Sequence, residues 1–116
     1  MGLSIRIDEN EDRWTLALTG DLDYGECATF RMTIDRILKH GPPATIIDLS
    51  GVDHLDSSGL GLLLSLSKEY GAHGGRLVLV TNDSVESILD LTRLSSIFSC
   101  ARTIDEANAL LGNGAA

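Results

Sequence analysis

The sequence predicts one α/β domain in which an antiparallel hairpin is followed by parallel β-α units, a mixed sheet flanked by about four helices. Three observations predict it. Residues 3–8 and 13–19 carry Leu3, Ile5 and Ile7, then Trp14, Leu16 and Leu18, around the polar turn Glu9-Asn10-Glu11-Asp12, which is a hairpin pattern. From residue 24 onward, segments with apolar residues at three- and four-residue steps alternate with short apolar runs. The joints between them are short, which favours parallel strands with right-handed crossovers, and 116 residues suit a single core.

Each element has its own signal. Asp23 stands three residues before Glu26, the spacing of a reciprocal cap, and a helix over about 24–39 follows with Cys27, Phe30, Ile34, Ile37 and Leu38 on one face. Gly41-Pro42-Pro43 breaks it, and Ala44–Leu49 reads as a short buried strand. A helix over about 57–72 turns Gly59, Leu60, Leu63, Leu64, Leu66 and Tyr70 inward and Ser58, Ser65, Lys68 and Glu69 outward. Leu62 falls at the edge of the polar side, a place that suits an interface. Gly71–Gly75 ends this helix, Arg76–Val80 gives a further strand, and Asp83 with Glu86 repeats the cap spacing before Val85, Ile88 and Leu89. Leu94-Ser95-Ser96 closes that helix, Ile97–Ala101 is a short apolar run, and Thr103 with Glu106 caps a last helix. Residues 1–112 therefore form the domain, and residues 113–116, with nothing to bury, are expected to be a disordered tail.

Composition narrows the function. No apolar run approaches the roughly 18–20 residues of a membrane span, and Met1–Arg6 lacks the apolar core of a secretory signal, so the cytoplasm is the expected compartment. A formal net charge of −8, with nine scattered Lys and Arg, argues against nucleic acid as a partner. Cys27 and Cys100 belong to no Cys-x-x-Cys pair and read as small hydrophobes.

The chemistry gathers where Leu49–Asp56 gives way to Ser57-Ser58-Gly59-Leu60-Gly61-Leu62, with two hydroxyls at a strand-to-helix junction. A helix start offers unpaired N–H groups and partial positive charge, which suit a serine oxygen or a phosphate. One reading makes Ser57 an N-cap, worth about 0.5–2 kcal/mol; the other makes it a phosphorylation site, with added charge beside Asp56 and Asp53. An enzyme reading finds no Gly-x-Ser-x-Gly elbow, and His54 lies in a loop of unreadable direction. Asp21, Asp23, Asp53 and Asp56 cluster around Ser57 if the strands they follow are neighbours; turn and cap roles explain them better than Mg²⁺ does. No phosphate-binding glycine loop is present in the sequence.

These residues resemble a known family. Leu18-Thr19-Gly20-Asp21-Leu22-Asp23, Ile46-Ile47-Asp48-Leu49-Ser50-Gly51-Val52, Asp56-Ser57-Ser58-Gly59-Leu60-Gly61 and Gly74-Gly75 are similar to the motifs of single-domain STAS proteins, in particular the bacterial anti-sigma-factor antagonists. The resemblance covers nearly the whole chain, and the Asp-Ser-Ser-Gly-Leu-Gly block is its specific part. It implies that Ser57 accepts phosphate from a partner that is both an anti-sigma factor and a serine kinase. Unphosphorylated protein would bind that partner and free the sigma factor; phosphorylated protein would release it until a phosphatase acts. The kinase would bring ATP and Mg²⁺, so the chain needs no cofactor of its own. Asp21, Asp23, Asp56, Ser58, Gly59 and Leu62 would make the partner-binding surface around Ser57. The rival reading is a STAS module that is never phosphorylated and serves a larger assembly, such as a stressosome-like particle or a lipid-transport complex.

Overall fold

In a computed structural model of the chain, which describes residues 2–112, apolar alternation builds the first two strands. β1 (Leu3–Glu9) and β2 (Arg13–Leu22) pair antiparallel, from Leu3 opposite Gly20 to Glu9 opposite Trp14. Trp14, Leu16 and Leu18 are buried, and Leu3, Ile5 and Ile7 pack against the same core. Then come α1 (Cys27–His40), β3 (Ala44–Leu55), α2 (Ser57–Ala72), β4 (Arg76–Val80), α3 (Asp83–Leu91), β5 (Ser99–Ala101) and α4 (Ile104–Leu110). The mixed sheet and its flanking helices are those the sequence predicts. The expected tail, residues 113–116, lies outside the described residues. Among the described residues no helix is long and apolar enough to cross a membrane.

The sheet order is β1-β2-β3-β4-β5, parallel from β2 onward. Right-handed crossovers that always step the same way place every connecting helix on one face. Accordingly Phe30 and Ile37 of α1, Leu63 and Leu66 of α2, and Val85 and Leu89 of α3 share one core with Leu16, Ile47 and Leu79. α4 follows the last strand and covers the other face, setting Ala107 and Leu111 on Ala44, Ile46, Val78, Val80 and Ala101.

Two of the three expected helix caps change. Asp23 and Glu26 do not cap each other: Asp23 makes no side-chain cap bond, and the Glu26 carboxylate accepts the Leu3 N–H at 3.1 Å. The helix therefore starts with a 3₁₀ turn, Tyr24–Glu26, before α1 proper. At α3 the cap is Asn82, one residue before the expected Asp83; its Oδ1 accepts the Val85 N–H at 2.8 Å. Thr103 caps α4 as its spacing predicts, accepting the Glu106 N–H at 3.1 Å.

The largest change is β3, which continues past Leu49 to Leu55. β2 remains its partner, but the register slips between Ala17 and Thr19 and again between Gly20 and Asp21, with extra β3 residues opposite each step. β4 stops pairing at Val80, opposite Asp48. Beyond that point the Asn82 side chain takes over, its Nδ2 lying 3.4, 3.1 and 3.0 Å from the carbonyl oxygens of Leu49, Ser50 and Val52.

Candidate functional site

β3 ends at the buried Leu55 and α2 begins at Ser57, so Asp56 turns the corner with extended backbone. From that cap position a carboxylate reaches the second and third N–H groups of the helix. Asp56 Oδ1 accepts from Ser58 N–H at 2.9 Å and Gly59 N–H at 3.1 Å. Its Oδ2 accepts the Tyr24 N–H at 3.1 Å, and its own N–H donates to the Leu22 carbonyl at 3.3 Å. One side chain thus joins the end of β2 to the start of α2. Asp56 is the cap, and Ser57 is not: Ser57 is the first helical residue, exposed, with no hydrogen-bond partner for its hydroxyl among the described residues.

Gly59 explains how closely these segments approach. A Cβ at this position would lie 2.5 Å from the Leu22 carbonyl oxygen and 2.7 Å from Leu22 Cγ, so only glycine lets α2 start against the end of β2. Gly61, two residues on, faces open space.

β2 and β3 are neighbours, which brings the ends carrying the four aspartates together. Asp21 sits opposite His54 in the register, and His54 Nδ1 lies 2.9 Å from Asp21 Oδ1. That hydrogen bond is the main cause that holds the Asp21 carboxyl below its ordinary pKa. His54 is therefore a strand residue, 80% exposed at its side chain and engaged with Asp21, not a loop residue aimed at Ser57. Asp53 is also in the strand and exposed, not in a turn. Burial raises the pKa of the Cys27 thiol, and the negative charges of Asp56 and Asp23 add to the rise, which puts both carboxylates near the start of α1. Among the described residues no group of three or more His, Cys, Asp or Glu is arranged to hold a metal ion.

Leu62 requires a correction. It is 6% exposed and belongs to the core, so it offers no surface to a partner. A wheel drawn for α2 alone leaves out α1, which packs beside it. Leu62 lies on the flank that continues, two turns later, to Glu69, and Glu69 shares a groove with Leu38 of α1. Gly59 is buried as well, whereas Asp21, Asp23 and Ser58 are half-buried and Asp56 is exposed beside Ser57. The sequence reading missed Tyr24, which is 80% exposed and tied through its N–H to Asp56. It also missed Asn82. An asparagine directly before Asp83 was an available cap signal, but its reach to β3 was not.

A strand-to-helix junction with a free, exposed serine hydroxyl, on a sheet whose order follows the chain, is the setting in which the family comparison is decisive. The STAS domain model matches residues 4–107. The chain belongs to the STAS-domain family. An anti-sigma F factor antagonist of Paenibacillus polymyxa is 29% identical over 112 residues, 95% of this chain and 94% of that protein. The crystal structure of an anti-sigma factor antagonist from Mycobacterium paratuberculosis superposes with a TM-score of 0.84 at 23% identity, covering 95% and 94% of the two chains. Bacillus SpoIIAA in its phosphorylated form gives a TM-score of 0.72 at 22% identity, covering 93% of this chain and 99% of that one. The role these relatives are named for is regulatory, and it operates through an anti-sigma factor.

Proposed function

We propose that this STAS domain is an anti-sigma-factor antagonist switched by phosphorylation of Ser57. Unphosphorylated, it binds an anti-sigma factor that is also a serine kinase; phosphorylated, it lets go, and a phosphatase restores it. The observation that carries this reading is the division of labour at the start of α2, where Asp56 satisfies the helix N–H groups and leaves the exposed Ser57 hydroxyl without a structural duty. Support also comes from SpoIIAA, a structural neighbour described in a phosphorylated form.

The chemistry follows from that arrangement. Ser57 Oγ forms a bond to the γ-phosphorus of the kinase's ATP, the bond to the β–γ bridging oxygen breaks, ADP leaves, and the hydroxyl proton passes to a base on the kinase. The product carries close to two negative charges at the first turn of α2, where the helix dipole tolerates them. It also stands beside Asp56, whose carboxylate is fixed by three N–H groups. A partner that docks over this acidic junction must then desolvate and face the added charge, and about 1.4 kcal/mol of such cost is a tenfold loss of affinity. The cytoplasm, where such a kinase would find ATP, is the compartment that goes with this proposal.

The test is incubation of wild type and Ser57→Ala with native-cell extract and ATP, followed by intact-mass analysis. Wild type takes up one phosphate and Ser57→Ala none. Equal uptake by Ser57→Ala overturns the assignment of this serine.

A further inference from the structure

The sheet face opposite α2 is only partly covered. α4 lies over β3, β4 and β5, and the β1–β2 half beside it stays open as a groove of about 830 Å³. Ligand sites commonly fall within roughly 300–1,000 Å³. This groove does not involve Ser57, and nothing in the proposed switch uses it.

Its charges are mixed in sign. Arg6, Asp8, Asp12, Arg13 and Asp48 all line it, yet none forms an ion pair with another among the described residues. Arg13 is held in place because its Nη1 donates to Asn108 Oδ1 on α4, while its buried Nε has no partner among the described residues. Asp48 is held as well, its Oδ1 accepting from the Ser50 N–H at 2.9 Å and the Ser50 hydroxyl at 2.6 Å, with no hydrogen bond to Oδ2 from the described residues. Arg6, Ala17 and Asp48 form one row across β1, β2 and β3. Two strand spacings, roughly 10 Å, therefore separate the backbones of Arg6 and Asp48, and the small Ala17 side chain stands between them.

We propose that this groove binds a small zwitterion, its carboxylate on the guanidinium groups of Arg13 and Arg6 and its ammonium on Asp48. A simple anion would use the arginines but meet three aspartates on a chain of net charge −8, and a simple cation would use Asp48 but meet the two arginines. A molecule with both charges answers both ends and adds no net charge.

The experiment is an amide ¹⁵N–¹H NMR titration of the full chain with three probes of matched length: 4-aminobutyrate, butyrate and butylamine. 4-Aminobutyrate should give saturable shifts at Thr15, Ala17, Asp48 and Asn108, and each single-charge probe should bind about tenfold more weakly, as expected when one charged hydrogen-bonding end is lost. Arg6→Gln and Asp48→Asn should each weaken 4-aminobutyrate at least about fivefold with spectral dispersion unchanged, and Ser57→Asp should have no effect on it. Absence of saturable shifts with 4-aminobutyrate, or equal binding of butyrate, would overturn the proposal. The phosphate-uptake test of Ser57 is independent of either result.

Discussion

Asp56 and Tyr24, 32 positions apart in sequence, are joined by a hydrogen bond of 3.1 Å from the Tyr24 backbone N–H to Asp56 Oδ2. Because the other carboxylate oxygen caps α2, a single residue fixes both segments that flank Ser57. Asp56→Ala should lower stability by about 1–2 kcal/mol through the lost cap. Asp56→Asn keeps one acceptor oxygen and turns an N–H group toward a donor, so it should fall between the two. Urea unfolding of the three proteins measures this order.

The two glycines of Gly59-Leu60-Gly61 should respond in opposite directions. Gly59→Ala forces a methyl against Leu22, an overpacking that costs typically about 1–3 kcal/mol. Gly61→Ala meets nothing within 4 Å and should stabilise the helix by about 0.4–1 kcal/mol. Thermal midpoints of the two variants should lie on either side of wild type.

Asn82 combines a cap and a clasp, and substitution separates them. Asn82→Ser keeps an oxygen for the Val85 N–H but removes the donor that faces the Leu49, Ser50 and Val52 carbonyls. Leaving those groups less satisfied should cost about 1–3 kcal/mol, and hydrogen exchange should rise along residues 51–55. Unchanged exchange there would show that β3 needs no clasp beyond β4.

Acid sensitivity should report on Asp21 and His54. A carboxyl whose pKa is lower in the folded state favours the fold above its ordinary pKa and loses that contribution as pH falls and protonates it. His54→Ala removes the largest cause of the Asp21 shift. The thermal-midpoint gap between wild type and this variant should be present near pH 6 and close as pH falls below about 4, the ordinary range for Asp.

Charge at Ser57 should decide docking. Ser57→Asp should weaken retention of the anti-sigma factor by about tenfold or more, and Ser57→Ala should leave it intact. A pull-down from native cells, read by quantitative mass spectrometry for a protein with an ATP-binding kinase fold, measures the ratio. Equal retention by Ser57→Asp would argue against a switch at this residue.

The order of elements was legible because helix and strand periodicities survive in Leu3–Ile7, Trp14–Leu18 and Phe30–Ile37, where one face alone is buried. The junction was less legible for a physical reason. Asp53, Asp56, Ser57 and Ser58 are all competent caps, and the choice among them depends on where Leu55 must be buried and where Gly59 must meet Leu22. Gly51, Asp53 and His54 look like a turn, yet pairing with β2 and the Asn82 clasp keep them extended, a tertiary effect that outweighs local propensity. Leu62 was misplaced because a wheel for one helix contains no information about the helix beside it.

The sheet order β1-β2-β3-β4-β5 repeats the order of synthesis. Each strand leaving the ribosome finds its neighbour already made, and no early strand must wait for a late one. All pairing is therefore between consecutive strands, so each crossover closes over a single helix and no pairing spans an intervening strand. Ser57 follows directly on β3, which pairs with the existing hairpin before β4 is made. The β2 side of the Ser57 junction can thus form first, and the Asn82 clasp on β3 is added once β4 has been made.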